Sequence, residues 1–285
     1  MKTISQLIIT MMICLFSIQT WAQSGKLFNT DNQLSSNLAT QVFQDKSGFI
    51  WIATRNGLNN YDGYHITIIK KDMSNFLGLN SNYINSIAQD EKEHILLGTN
   101  NSLLEFTGSE FLKIPMLDSK GKELATYVKQ IYPLRNKDVA VATSGYGIML
   151  KKQDEQKCHA MKGEVEKLKY IHKLLEDKRG RLWIITEDGK LYRKETNGRV
   201  TSYFTGTEGV GAQDIQQDAL GNLYLASKNQ GVYLLRAGSN AFARISNIGN
   251  LPIDNIYISR NNKLYIGCDG LGIYVYDPQT GFLQD

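Results

Sequence analysis

Four histidines, two cysteines beyond the N-terminal apolar run and a set of evenly placed aspartates are the residues of this chain that could do chemistry. His65, His94, His159 and His172 would bind a metal or shuttle protons if other donors converged on them. They stand in unrelated sequence surroundings with no H-x-x-x-H or His-x-Glu spacing, so neither a metal nor a cofactor is expected. Cys158 and Cys268 lack a C-x-x-C partner, which argues against zinc and redox roles and leaves two free thiols. The run Gly206-Thr207-Glu208-Gly209-Val210-Gly211 looks like a phosphate loop but has no lysine and no strand-to-helix setting, so it is expected to be a connecting loop. No G-x-S-x-G elbow occurs. Asp45, Asp90, Asp177 and Asp218 could be paired carboxylates, yet each holds the same place in a turn between two strands, one per repeat. That regularity points to turn-capping hydrogen bonds, and no catalytic residue is expected.

These aspartates belong to a repeat. VFQDKSGFIWIATRNGLNNYDG (42–63) is its clearest copy, echoed by SIAQDEKEHILLGTNNSLLEFTG (86–108), LLEDKRGRLWIITEDGKLYR (174–193) and IQQDALGNLYLASKNQGVYLL (215–235). Weaker copies are IYPLRNKDVAVATSGYGIML and YISRNNKLYIGCDGLGIYVYD. A small residue closes the second apolar run of each copy: Thr54, Thr99, Thr143, Thr186, Ser227 and Cys268, spaced 41 to 45 apart. That period fits a propeller blade, and the short Ile/Val/Tyr/Trp runs broken by Asp, Asn and Gly are strands rather than helices. The expected fold class is all-β, a β-propeller of about six four-stranded blades near 34–72, 79–118, 123–161, 168–204, 208–246 and 251–285. Trp51, Trp183, Tyr224 and Tyr265 coincide between copies and should fill the space between blades. Lys26 to Thr30 could add the outer strand of the last blade and close six blades into a ring. The alternative is a seven-bladed ring that lacks a blade and keeps exposed edges.

The first 22 residues differ in composition. Lys2, the apolar run Leu7 to Ile18 and Thr20-Trp21-Ala22 form the three parts of a secretory signal peptide with cleavage after Ala22. Its apolar core is short for a bilayer span. The mature chain is expected in the periplasm. The formal charge of +4 is spread among acidic residues, so no basic face suited to nucleic acid is expected.

The first copy resembles the two-component regulator propeller family through Leu34-Ser35-Ser36-Asn37, Gln44-Asp45-Lys46-Ser47-Gly48, Ile50-Trp51-Ile52-Ala53-Thr54, Gly57-Leu58 and Tyr61-Asp62-Gly63. The pattern returns in Leu79-Asn80-Ser81-Asn82, Gln89-Asp90 and Gly98-Thr99. The resemblance implies the extracytoplasmic sensor region of Bacteroidetes-type hybrid two-component histidine kinases, many of which respond to glycan breakdown products. It implies further propeller and sensor domains, a membrane span and a kinase. No such span or kinase stands between Met1 and Asp285, so the chain is expected to correspond to an N-terminal portion, or to an independent protein. Contact with a membrane would then come only through C-terminal parts.

In a propeller, the loops joining second to third strands and those entering the first strands share one rim. Asn37, Arg55, Asn56, Asn82, Asn100, Tyr146, Glu187, Asp188, Lys228, Asn229 and Asp269 fall there, with amides, charges and an aromatic suited to sugar hydroxyls. The same residue types also simply form turns. The functional expectation is a ligand-sensing propeller for an oligosaccharide. Its alternatives are a structural or protein-docking propeller, as a homodimer or against a further domain, and, third, a propeller lyase or glycosidase.

Overall fold

The acidic turns and the short apolar runs between them fold into antiparallel hairpins. In the computed structural model, which describes residues 27–71, 78–204 and 211–284, these hairpins build six sheets in chain order. The signal-peptide segment and most of the Gly206–Gly211 loop lie outside the described residues. Blade 1 comprises β1 (Ala39–Gln44), β2 (Ile50–Thr54), β3 (Gly57–Tyr61) and β4 (Ile66–Ile69). Blade 2 comprises β5 (Ile84–Gln89), β6 (Ile95–Thr99), β7 (Leu103–Phe106) and β8 (Phe111–Ile114). Two short strands follow, β9 (Met116–Leu117) and β10 (Glu123–Leu124). Blade 3 is β11 (Val128–Pro133), β12 (Val139–Thr143), β13 (Gly147–Lys151) and β14 (Cys158–Ala160). Blade 4 is β15 (Ile171–Glu176), β16 (Leu182–Thr186), β17 (Leu191–Lys194) and β18 (Val200–Tyr203). Blade 5 is β19 (Ala212–Gln217), β20 (Leu223–Ser227), β21 (Gly231–Leu235) and β22 (Ala243–Arg244). Blade 6 is β23 (Ile253–Ile258), β24 (Leu264–Cys268), β25 (Gly272–Asp277) and β26 (Phe282–Gln284).

Two details depart from the sequence expectation. Met116–Leu117, which the spacing assigns to the tail of blade 2, pairs in parallel with β14 and extends the sheet of blade 3 to six strands. The outer strand of the last blade is its own β26, not the Lys26 to Thr30 segment. From that segment Phe28 instead packs edge-on against Tyr61 of blade 1, with ring centroids 5.1 Å apart.

The recurring aspartates cap turns. Asp45 Oδ1 accepts the Phe49 N–H, while Asp90, Asp177 and Asp218 each accept two backbone N–H groups at 2.8–3.0 Å. In blade 6 the Ser259 hydroxyl takes that place, accepting from Lys263 N–H at 3.1 Å. The recurring hydroxyl at the end of each second strand also has a local task. Thr54, Thr99 and Thr143 are buried and donate across the next loop to the carbonyls of Gly57, Ser102 and Gly147. A propeller blade needs both ends of its central hairpin pinned, and the repeat keeps the residues that do so.

Five hydrophobic clusters fill the five interfaces between successive blades. Trp51, Trp183 and Tyr224 sit in them as expected, buried against the following blade. Backbone donors at the same position reach back across four of these interfaces. Ile87 N–H donates to Gln41 Oε1, Ile131 to Ser86 Oγ, Leu174 to Gln130 Oε1 and Ile256 to Asp214 Oδ2. At the remaining interface Lys173 stands at that position and pairs with Asp214 at 3.1 Å.

Blades 6 and 1 do not pack on each other in this way. Val42 is 63% exposed, whereas Ile87, Ile131, Leu174, Ile215 and Ile256 at the same position are at most 4% exposed. Ile273 is 64% exposed, whereas Leu58, Leu103, Ile148, Leu191 and Val232 are at most 3% exposed. Tyr265, the counterpart of Trp51, is also exposed and lies 6.4 Å from the exposed Tyr257. The six described blades therefore form an arc whose two end faces meet solvent.

Both described cysteines are free and buried. Burial pushes the Cys158 thiol up to about 12 and also raises that of Cys268. The thiolate is the nucleophile, so iodoacetamide at pH 7 should leave Cys158 unmodified in the native chain and alkylate it only after unfolding. Mass spectrometry with and without urea checks this.

Candidate functional site

The first strand of every blade carries a β-bulge after its first residue. The inserted residues are Thr40, Asn85, Lys129, His172, Gln213 and Asp254, all polar. A bulge leaves one residue out of the ladder and re-aims its side chain. Lys129, His172 and Gln213, from blades 3, 4 and 5, thereby line one cavity of about 370 Å³. Its mouth is completed by Thr186, Glu187, Asp188 and Gly189 from the β16–β17 loop, by Gly211, and by Lys228 after β20. Gly189 and Gly211 meet backbone to backbone, and a Cβ on Gly189 would lie 2.9 Å from Gly211 Cα. Ala212 N–H donates to the Gly189 carbonyl at 2.9 Å, which locks this wall.

The cavity is charged on both signs. Lys129 Nζ lies 3.3 Å from Glu187 Oε1. Asp188 accepts from the Thr186 hydroxyl at 2.6 Å and pairs with Lys190 at 2.7 Å. The Lys190 and Thr186 bonds hold the Asp188 carboxyl below its ordinary range, so it is an acceptor and not an acid near neutrality. His172 is shifted down, first by burial and then by Lys173 and Lys129, which keeps its imidazole neutral at pH 7. A neutral imidazole, two ammonium groups and two carboxylates can exchange hydrogen bonds with a polyhydroxylated or carboxylated ligand.

An aromatic band continues from the cavity across the rim. Lys129 Nζ sits 4.6 Å from the Tyr127 ring centroid, Tyr127 stands edge-on to Tyr83 at 6.1 Å, and Arg55 lies 5.8 Å from the Tyr83 centroid. Tyr127 donates to Asn85 Oδ1 at 2.8 Å, and burial, followed by Tyr83, raises its phenol. Tyr83, Tyr127 and Tyr170 hold the same position before β5, β11 and β15, and Tyr170 and Tyr146 are exposed beside one another's loops. The band thus joins blades 1, 2, 3 and 4.

Of the residues expected on the rim, Glu187, Asp188 and Lys228 line the cavity, and Arg55 and Tyr146 flank the tyrosines. The others are not brought to the cavity. Asn37 holds Thr30, accepting its N–H at 2.8 Å. Asn82 accepts the Lys71 N–H at 2.7 Å, and Asn100 accepts from the Ser81 hydroxyl at 2.8 Å. Asn56, Asn229 and Asp269 are exposed turn residues. Lys129, His172, Gln213, Tyr83 and Tyr127 escaped the sequence reading. A signal for Lys129, His172 and Gln213 was present, since two consecutive polar residues stand between the apolar residues of every first strand.

Three segments, 33–56, 78–101 and 167–188, match the family described as two component regulator propeller. They fall on blades 1, 2 and 4. None of the curated proteins matches the chain. Among solved structures it is similar to the extracellular domain of a putative hybrid two component system from B. thetaiotaomicron, with 23% identity and a TM-score of 0.77 over 90% of this chain. It is similar too to that of a putative one component system from the same organism, with 17% identity and a TM-score of 0.75 over 92% of this chain. The chain spans 36% and 38% of those two domains. Virginiamycin B lyase from Staphylococcus aureus shares the fold at 13% identity and a TM-score of 0.69, over 90% of this chain and 86% of the lyase.

Proposed function

We propose that this chain, three segments of which match the two component regulator propeller family, is an extracytoplasmic, ligand-binding sensor propeller of a two-component signalling system, and that its ligand is a carbohydrate. The observation that supports this most is the rim itself. A cavity lined by Lys129, His172, Gln213 and Lys228 opens beside Tyr127, which stands edge-on to Tyr83. Aromatic faces stack on the apolar faces of sugar rings while the cations and amides take hydroxyls or a carboxylate. The fold is shared with a lyase, so the reading rests on the site and not on the architecture.

The test is a titration of the purified chain with neutral and uronic oligosaccharides, followed by thermal unfolding and calorimetry. A ligand at one hundred times its Kd adds about 2.7 kcal/mol, which raises Tm by roughly 5 °C or more. Lys129→Ala and Tyr127→Ala should each weaken binding about tenfold or more, while Asn56→Ala leaves it unchanged. A cooperative melt that no glycan shifts would sink the carbohydrate reading. A protein-docking role is the second reading, supported by the exposed end faces around Val42 and Ile273.

A further inference from the structure

At the opposite end of blade 2 from the rim, the β5–β6 turn and β7 bring Asp90, His94 and Glu105 together, with one donor atom of each within 4.8 Å of the others. We propose that these three side chains hold a divalent cation of the zinc type. The equivalent corners of other blades show what blade 2 lacks. In blades 1 and 4 the second aspartate oxygen accepts an indole N–H, from Trp51 at 2.8 Å and Trp183 at 2.9 Å. In blade 5 the Asn222 amide takes that role at 2.8 Å. In blade 2 the tryptophan position is Leu96, which offers no donor. What faces Asp90 Oδ2 instead is His94 Nδ1 at 3.7 Å, beyond hydrogen-bond range.

The corner is also charged in an unbalanced way. Glu105 is 3% exposed, and its carboxylate accepts no hydrogen bond in the described structure; its one close polar neighbour is His94 Nδ1 at 2.5 Å. That nitrogen is itself buried and makes no hydrogen bond of acceptable geometry. Among the described residues no lysine or arginine pairs with Asp90 or Glu105; Lys92 pairs with Asp154 and Lys46 with Glu93. Two buried carboxylates beside one imidazole keep a net negative charge even when the imidazole is protonated, and such a charge is costly. A divalent cation with a neutral imidazole brings the group to zero. Zinc bonds of about 2.0–2.2 Å place neighbouring donors roughly 3.4 Å apart, and the spacings of 2.5 and 3.7 Å straddle that value. With all three donor atoms within 4.8 Å of one another, side-chain movement on the order of 1 Å forms the site, and water completes the coordination. A donor set of one nitrogen and two carboxylates favours zinc over magnesium or calcium, which take oxygen throughout. The backbone bonds of Lys92 and His94 to Asp90 Oδ1 fix this carboxylate in place as an outer shell would.

Chelator-treated protein titrated with zinc chloride tests this. Calorimetry should give one ion per chain, and Tm should rise in a saturable way by several degrees, with no rise in magnesium chloride. Glu105→Gln and His94→Gln should abolish both signals, while His159→Gln, at the separate Glu155 pair, keeps them. Cobalt(II) added to the wild-type chain should give visible bands that zinc displaces, a readout that needs no variant to fold. Absence of any zinc-dependent shift in the wild-type chain would overturn the proposal, as would a shift that persists unchanged in both variants.

Discussion

Leu103→Lys should abolish cooperative folding, whereas Ile273→Lys at the same position of the last blade should leave Tm within about 1 °C of the wild type. Leu103 begins β7 and Ile273 follows Gly272 at the start of β25, opposite Gly98 and Gly267 respectively. Leu103 is fully buried in the cluster between blades 2 and 3, against Val128, Ile131 and Met149. Lysine there would lose the leucine contacts, about 2–5 kcal/mol, and bury an ammonium with no partner. The total is comparable to the whole stability of a domain. Ile273 is 64% exposed on an end face, so its ammonium stays in water. Circular dichroism melts of the two variants, run beside Val42→Lys, settle the question. If Ile273→Lys proves as damaging as Leu103→Lys, blade 6 is covered in solution and the arc is not open.

Why the repeat was legible, while the open arc stood in the sequence only as one of two alternatives, follows from what each residue is for. Asp45, Asp177 and Asp218 cap their turns, and Thr54, Thr99 and Thr143 clasp the next loop. Those tasks are local, so the residue type is fixed by a few neighbours in sequence and recurs with the period. Trp51, Trp183 and Tyr224 were legible as blade-to-blade filler because large aromatics recur at one position of the repeat. Val42 and Ile273, by contrast, have the same character as their buried counterparts, and only the missing neighbour distinguishes them. Sequence records what a residue can bury, not whether anything covers it.

The site divides along the same line. Asn37, Asn82 and Asn100 drew attention as amides in rim loops, yet each accepts a hydrogen bond from a preceding segment, from Thr30, Lys71 and Ser81 respectively. Lys129, His172 and Gln213 looked like ordinary strand residues because their re-aiming depends on a register shift against the second strand. The Asp90, His94 and Glu105 corner escaped for another reason. Motif spacing compares residues within one segment, and Glu105 arrives from β7, across the hairpin.

Asp177→Ala should cost about 3–5 kcal/mol at pH 7, the largest loss expected from any single turn aspartate. Its carboxylate is fully buried and serves more donors than its counterparts do. Arg181 approaches through both Nε and a terminal nitrogen at 2.7 Å, Trp183 Nε1 donates at 2.9 Å, and two backbone N–H groups complete the set. Arg181 also stacks on the Trp183 ring with Arg193 beside it, so its removal from Asp177 loosens the cluster between blades 4 and 5. Asp45→Ala should cost less, about 1–2 kcal/mol, because Asp45 lies on an exposed turn and has no arginine partner. The pH dependence follows from the direction of the shift. Burial pushes the Asp177 carboxyl up, but the bonds from Arg181, Trp183 and the backbone outweigh it and hold the group below its ordinary value. A carboxyl depressed in the folded state stabilises fully above its unfolded pKa, about 3.9, and loses that contribution as pH falls through the folded value. Urea unfolding of wild-type and Asp177→Ala chains should therefore differ most at pH 6–7, and the gap should narrow progressively as pH falls below the unfolded value of about 3.9. A gap that stays constant down to pH 3 would mean that lost packing, and not the charge, accounts for the cost.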